Sequence, residues 1–294
     1  MSIDRIALGT AQFGMDYGIN NKRGRIPPRE ALVILANAFN SGIDMFDTAS
    51  SYGEAEKILG IFNKRSSKEI KIISKLPECV IDKVTGIVET SLKKINSKQL
   101  YGYIIHSFKS YAETPAVFDV LKTIKSTGRI KKIGFSLYYP KELDYLLEKK
   151  IEFDLVQVPF SIFDQRFSSY FSELKRLGVE IHVRSVFLQG LVFKKKFETN
   201  DNFTKIKDKL NRLSTLSDEN KIPIVALCLN FALLNKLIDK VIVGVDSLCN
   251  LKEIVQALHY QPEVKKLMSI LFGLREDDEE IIVPIRWGAT KAVI

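Results

Sequence analysis

Four side chains of this 294-residue chain have complementary proton chemistry: the carboxylate of Asp47, the phenol of Tyr52, the ammonium of Lys75 and the imidazole of His106. A free phenol, with a pKa of about 10, is a poor acid at neutral pH. A nearby ammonium favours the phenolate and lowers that pKa, and a carboxylate paired with the ammonium fixes where it sits. The phenol can then protonate a developing alkoxide, with His106 as a second hydrogen-bond donor to the same oxygen. Such a set suits carbonyl reduction by hydride, provided that elements distant in sequence bring the four groups together.

Short β-branched runs alternate with helical stretches. Strands are expected over Ile6–Leu8, Asp44–Thr48, Ile70–Lys75, Gly102–His106, Ile130–Ser136, Phe153–Val158, Val179–Phe187 and Lys240–Val245. Apolar residues at three- and four-residue spacing mark helices between them, as at Ala31, Leu32, Leu35, Ala36 and Phe39, at Val84, Ile87, Val88, Leu92 and Ile95, and at Leu143, Leu146 and Leu147. Gly or Asn ends helices at Asn40–Gly42, Gly128 and Gly178. Eight strand–helix units predict a (β/α)8 TIM barrel forming a single domain over residues 1–294. A longer interval before the eighth strand predicts an inserted loop, Phe193–Phe203, and two helices. Residues 263–294 read as a C-terminal extension over the barrel, with an acidic patch at Asp277–Glu280. A doubly wound sheet is the alternative, but eight units exceed its usual strand number and the first turn lacks GxGxxG. In a barrel, function sits at the C-terminal strand ends. Asp47, Lys75 and His106 fall at three consecutive ends, with Tyr52 in the loop after Asp47.

With 46% hydrophobic and 27% charged residues, the chain has ample material for a core and is not a disordered segment. No run approaches the roughly 18 uncharged apolar residues of a membrane span. The opening MSIDRIALGT has no basic segment leading into an apolar one, so a secretory leader is not expected. Cys79, Cys228 and Cys249 are odd in number and far apart, which points to a reducing compartment, the cytoplasm. The net charge of +9 is spread over amphipathic helix faces such as Lys205–Arg212. Solvated faces explain it without nucleic acid, while the positive field favours anionic ligands. No metal is expected, because the His and Cys residues never approach ligand spacing. With no coiled-coil pattern, a monomer or weak homo-oligomer is expected.

The segment FDTASSYGEAE at Phe46–Glu56 resembles the signature of the aldo-keto reductases, in which Asp and Tyr belong to a catalytic tetrad. SKL at Ser74–Leu76 and YIIHS at Tyr103–Ser107 are similar to the segments carrying that family's Lys and His. The likeness continues, in order, through LGTAQFG (Leu8–Gly14), IKKIGFS (Ile130–Ser136), LVQVPFSIFDQR (Leu155–Arg166) and VIVGVDSLCNLKEI (Val241–Ile254). It implies Tyr52 as proton donor, Lys75 and Asp47 as its tuning pair, and His106 as orienter of the substrate carbonyl.

The resemblance also implies a nicotinamide cofactor across the barrel mouth, NADP(H) first and NAD(H) second. Gly9 and Thr10 of the first turn, Asp47, Ser136 and Gln157 match positions at the ribose or carboxamide. Arg184 stands where the family often stacks an aromatic ring, and Ser185, Leu188 and Gly190 match the loop along the pyrophosphate. Leu137 replaces the Asn that commonly follows the Ser of strand five. After strand eight, where many NADPH-dependent members carry a Lys-Ser pair and an Arg, this chain has Gly244, Val245 and Asn250, with Asp246 close by. An Asp repels a phosphate and can accept from a free 2′-hydroxyl.

Other roles are weighed beside these. His182 suits a hydrogen-bonded structural position and His259 a surface one. Cys79 has no nearby base to make it a nucleophile. Lys22, Arg23 and Arg25 in the first loop, with Arg286 in the tail, could form a basic rim for a phosphorylated, carboxylated or sugar-linked carbonyl compound. Tyr17 or Trp287 could pack on a sugar ring. The LGTAQFGMDYGI opening is similar to a bacterial subgroup associated with envelope polysaccharide formation, which makes a keto-sugar the first substrate to test. Two alternatives use the same fold: a non-catalytic cofactor-binding regulatory subunit, and an epimerase with tightly held cofactor.

Overall fold

The structure, a computed structural model, describes residues 3–19, 21, 23–66, 69–194 and 202–287. Eight parallel strands close into a barrel in sequential order: β1 (Ile6–Gly9), β2 (Met45–Asp47), β3 (Lys71–Leu76), β4 (Leu100–Ile105), β5 (Ile130–Ser136), β6 (Leu155–Pro159), β7 (Glu180–Arg184) and β8 (Lys240–Val243). The ring closes where Ile6, Ala7 and Leu8 pair with Val241, Ile242 and Val243. This is the expected (β/α)8 TIM-barrel fold.

Alternation along each strand divides two cores. Ala7, Met45, Ile73, Ile104, Leu155 and Ile242 form a small buried cluster inside the ring. Their neighbours, including Leu8, Phe46, Ile72, Ile105, Val156 and Val243, face outward into a larger core under the helices. The helices Pro28–Asn40, Val84–Ile95, Ala116–Ser126 and Pro140–Glu148 cover that outer surface. One strand step beyond the inner cluster, toward the C-terminal ends, lie Gly9, Asp47, Lys75, His106, Gln157 and Gly244. The pleat therefore aims these residues into the barrel mouth.

Strand limits differ from expectation where backbone geometry intervenes. The seventh strand stops at Arg184 instead of Phe187, because Ser185 takes a left-handed conformation with φ of 64°. The eighth stops at Val243 rather than Val245. The fourth starts earlier, at Leu100, and ends just before His106, while Lys75 lies within the third. His182 is fully buried inside the barrel with Nε2 2.7 Å from Glu180 Oε1, and His259 is exposed, each in its expected structural role.

Of the inserted loop Phe193–Phe203, residues 195–201 lie outside the described residues. The two helices that follow are Lys207–Asn220 and Ile224–Leu233. Beyond the helix Gln261–Phe272, the tail returns over the loop after β6. Glu276 N–H donates to Phe163 O at 2.8 Å, and Arg166 pairs with Glu279 at 3.1 Å.

Candidate active site

Asp47 and Lys75 meet inside the mouth. Lys75 Nζ donates to Asp47 Oδ2 at 2.6 Å and to Thr48 O at 2.8 Å, and both side chains are almost completely buried. Gln157 Nε2 donates to the other Asp47 oxygen at 2.8 Å. The carboxylate is thus held on both sides, which compensates the cost of burying two charges. Burial still pulls the Lys75 ammonium below its ordinary value, opposed by Asp47.

Tyr52 hangs over this pair from the loop leading into the helix Ala55–Arg65. Lys75 Nζ lies 5.1 Å from the centre of its ring, and the His106 ring centre lies 5.7 Å away at an interplanar angle of 76°. Two glycines set that position. A Cβ on Gly14 would fall 1.7 Å from Tyr52 O, and Gly53, at φ of 48°, has its Cβ direction 2.6 Å from Gly14 O. Only the absence of side chains lets the two backbones touch.

The electrostatics differ from the sequence expectation in one respect. The Lys75 ammonium does not lower the Tyr52 phenol; burial, and then the Asp47 charge, push it above its ordinary value of 10.0. The ammonium is neutralised by its own carboxylate, so it acts as a fixed cation beneath the ring. Among the described residues no hydrogen bond joins the Tyr52 hydroxyl to Lys75 or His106. His106 is pushed down to about 3, first by burial and then by the charges of Lys75 and Arg184. Its Nδ1 lies 3.4 Å from Ser51 Oγ. With the hydroxyl donating there, a neutral ring keeps its proton on Nε2.

A cleft of about 340 Å³ opens from this group toward the ends of β7 and β8. Of the residues expected at a cofactor, Gly9, Thr10, Asp47, Gln157, Arg184 and Ser185 line it at the Tyr52 side, and Gly190, Gly244, Asp246 and Asn250 line it further along. Ser136 and Leu188 do not line it; both are buried, Leu188 within the outer core. The Thr10 hydroxyl donates to Asp47 O at 3.0 Å, which anchors β1 to β2. Asp246 Oδ1 is buried without a hydrogen-bond partner among the described residues, and burial raises its carboxyl.

Gln12, Asn21, Gln189, Phe193 and Glu253 also line the cleft and were not singled out in the sequence. Glu253 stands on the helix Leu248–Ala257 after β8; the others belong to two segments whose contact no motif encodes, the loop after β1 crossing to the loop after β7. Ile19 N–H donates to Gln189 O at 3.3 Å, and Gln189 Nε2 donates to the Tyr17 hydroxyl at 3.0 Å.

The pattern of the Aldo/keto reductase family matches residues 5–271. The chain belongs to the aldo/keto reductase family. Among curated relatives, the pyridoxal 4-dehydrogenase of Microbacterium luteolum is 21% identical over 303 residues, covering 84% of this chain and 87% of that one. The chloroplastic pyridoxal reductase of Arabidopsis thaliana is 27% identical over 172 residues, 51% of this chain, and the match spans only 47% of the plant protein. The aldo-keto reductase AKR11C1 from Bacillus halodurans, in its holo form, superposes with a TM-score of 0.72 at 19% identity, covering 90% of this chain and 91% of that one. At that identity the superposition speaks for the fold.

In this aldo/keto reductase two of the four cations of the expected basic rim are held in ion pairs. Arg23 pairs with Glu30 at 2.8 Å, and Arg286 pairs with Glu279 at 2.8 Å and Glu280 at 2.6 Å. Lys22 lies outside the described residues, and Arg25 is exposed. Trp287 is unsuited to stacking on a sugar: its Nε1 donates to Ile281 O at 2.9 Å and its ring packs edge-on against Phe203. Tyr17 does face the cleft. No helix among the described residues is long and apolar enough to cross a membrane.

Proposed function

We propose that this aldo/keto reductase reduces the carbonyl of an aldehyde or ketone with a nicotinamide dinucleotide, using Tyr52 as the general acid. The observation that carries the reading is the buried Lys75–Asp47 pair beneath Tyr52 and beside a neutral His106, with Asp47 and Tyr52 lining the cleft.

Each residue has a derivable part. Tyr52 keeps its proton at neutral pH and can give it to the carbonyl oxygen as charge develops there. His106 donates from Nε2 to the same oxygen without carrying a charge of its own. Lys75, fixed by Asp47, presents positive charge below the ring and stabilises the phenolate that remains. Gln157 holds Asp47 in place. A bound reduced nicotinamide supplies the hydride to the carbonyl carbon.

The cleft residues fit such a cofactor. By the family resemblance, the ends of β7 and β8 would take the pyrophosphate and adenosine. The unpartnered Asp246 oxygen there can accept from a ribose hydroxyl. The sequence ranks NADPH ahead of NADH. The acidic pair Asp246 and Glu253 on the cleft wall suits the free 2′-hydroxyl of NADH better than a 2′-phosphate. We read the protein as cytoplasmic, a monomer or weak homo-oligomer, with a keto-sugar first among its substrates. Two relatives named for pyridoxal add that aldehyde to the panel.

The test follows loss of reduced-nicotinamide absorbance with NADPH and NADH against keto-sugars, pyridoxal and simple aldehydes. Turnover by the wild type that Tyr52→Phe abolishes supports the reading. Cofactor binding without turnover would indicate a regulatory subunit, and sugar isomerisation without net cofactor consumption an epimerase.

A further inference from the structure

Arg184 ends β7 and lines the cleft beside Tyr52, Tyr17 and Gln157. Its guanidinium lies 4.1 Å from the centre of the Tyr138 ring. One nitrogen donates to Leu137 O at 3.0 Å, and another makes a long contact of 3.4 Å to Ser185 Oγ. A guanidinium has five N–H donors in a rigid fork. Among the described residues only two of them are engaged.

Among the described residues no carboxylate forms an ion pair with it. The acidic groups nearby point elsewhere: both oxygens of Asp47 accept from Lys75 and Gln157, and Glu142 Oε2 accepts from the Tyr138 and Tyr139 N–H groups at 2.7 and 3.0 Å, so that Glu142 acts on Arg184 only as a charge beyond ion-pair contact. Two other cations near the cleft are matched, Lys75 by Asp47 and Arg23 by Glu30. Among the described residues Arg184 is therefore a half-buried cation of this cleft with no carboxylate in ion-pair contact. A partly desolvated cation held rigid by ring stacking, with open donors, is built to receive an anion.

Its position selects which anion. Arg184 acts electrostatically on Tyr52, Lys75, His106 and Tyr17, all at the reacting end, and also on Glu142 of the helix Pro140–Glu148. The carboxyl of Asp246, at the far end, instead feels Gln12 and Arg23. We propose that the substrate carries a carboxylate or phosphate, and that Arg184 binds this group while Tyr52 engages the carbonyl. Engagement of the carbonyl rests on the carbonyl-reductase reading, and binding of the anion on Arg184 alone.

Two independent arms test it. In the first, benzoate is titrated calorimetrically into the wild type and into Arg184→Met, Arg184→Gln and Arg184→Lys variants, with unfolding scans as a folding control. Benzoate binding should weaken on the order of tenfold or more in the neutral variants and recover in part with Lys. In the second, ortho, meta and para carboxybenzaldehydes are compared with their carboxamides. The wild type should favour a carboxylate, and the carboxylate-to-carboxamide ratio of kcat/KM should fall on the order of tenfold in both neutral variants, mainly through KM. Absence of benzoate binding, equal binding by wild type and neutral variants, or an unchanged ratio overturns the proposal. So does weakened NADH or NADPH binding with benzoate binding intact, since the anion would then be the cofactor's. If neither these aldehydes nor the keto-sugars and pyridoxal of the earlier panel are reduced, the reductase reading fails while the benzoate arm still decides the anion site.

Discussion

The Lys75 ammonium sits over the face of the Tyr52 ring, 5.1 Å from its centre, with its charge already engaged by a carboxylate. In the proposed reaction the cation supports the phenolate as it forms and does not ionise the resting phenol. Tyr52→Phe removes the transferable proton and leaves the packing. We expect kcat/KM to fall by about 10²- to 10⁴-fold, with cofactor affinity retained in a fluorescence titration.

Replacing Lys75 by Met strips Asp47 of its counter-charge while the carboxylate stays buried. Loss of one partner of a buried pair costs about 3–5 kcal/mol, so denaturant unfolding should show a large drop in stability together with lost activity. Adding Asp47→Asn should recover much of the stability and none of the activity.

His106 carries a signed pH prediction. Its ring is held at about 3, against an ordinary 6.5. Between those values the unfolded chain takes up a proton that the folded chain refuses. The contribution to stability is complete above pH 6.5 and is lost as pH falls toward 3. Over that window the wild-type Tm should drop more steeply than that of His106→Asn. Equal slopes would show that burial of this ring is not coupled to folding.

Asp246→Arg exchanges a half-buried carboxylate, one oxygen of which has no hydrogen-bond partner among the described residues, for a cation at the β8 end of the cleft. The NADPH-to-NADH ratio of kcat/KM should rise, by about tenfold if the residue faces the 2′ position. An unaltered ratio would remove Asp246 from cofactor selection.

Gly14→Ala places a methyl group 1.7 Å from Tyr52 O. The two backbones must part, at a cost of about 1–3 kcal/mol. The displacement moves the phenol, so kcat should fall more than the small change in volume would suggest.

Periodicity alone makes much of this protein legible. β-Branched runs alternating with amphipathic stretches dictate strands and helices, and eight repeats of that unit specify a barrel. Because strand side chains alternate with a period of two, Asp47, Lys75 and His106 can be assigned to consecutive mouths before any coordinates exist. Other properties depend on distances between segments far apart in sequence. The Gly14–Gly53 backbone contact, the crossing of the β1 loop to Gln189, the withdrawal of Trp287 and Arg286 from the mouth and the lack, among the described residues, of a carboxylate in ion-pair contact with Arg184 leave no local pattern. Charge balance is the clearest case: a sequence supplies the ionisable groups, but burial and pair geometry decide which charge is matched. Folding paired Lys75 with Asp47 and, among the described residues, set no carboxylate in ion-pair contact with Arg184.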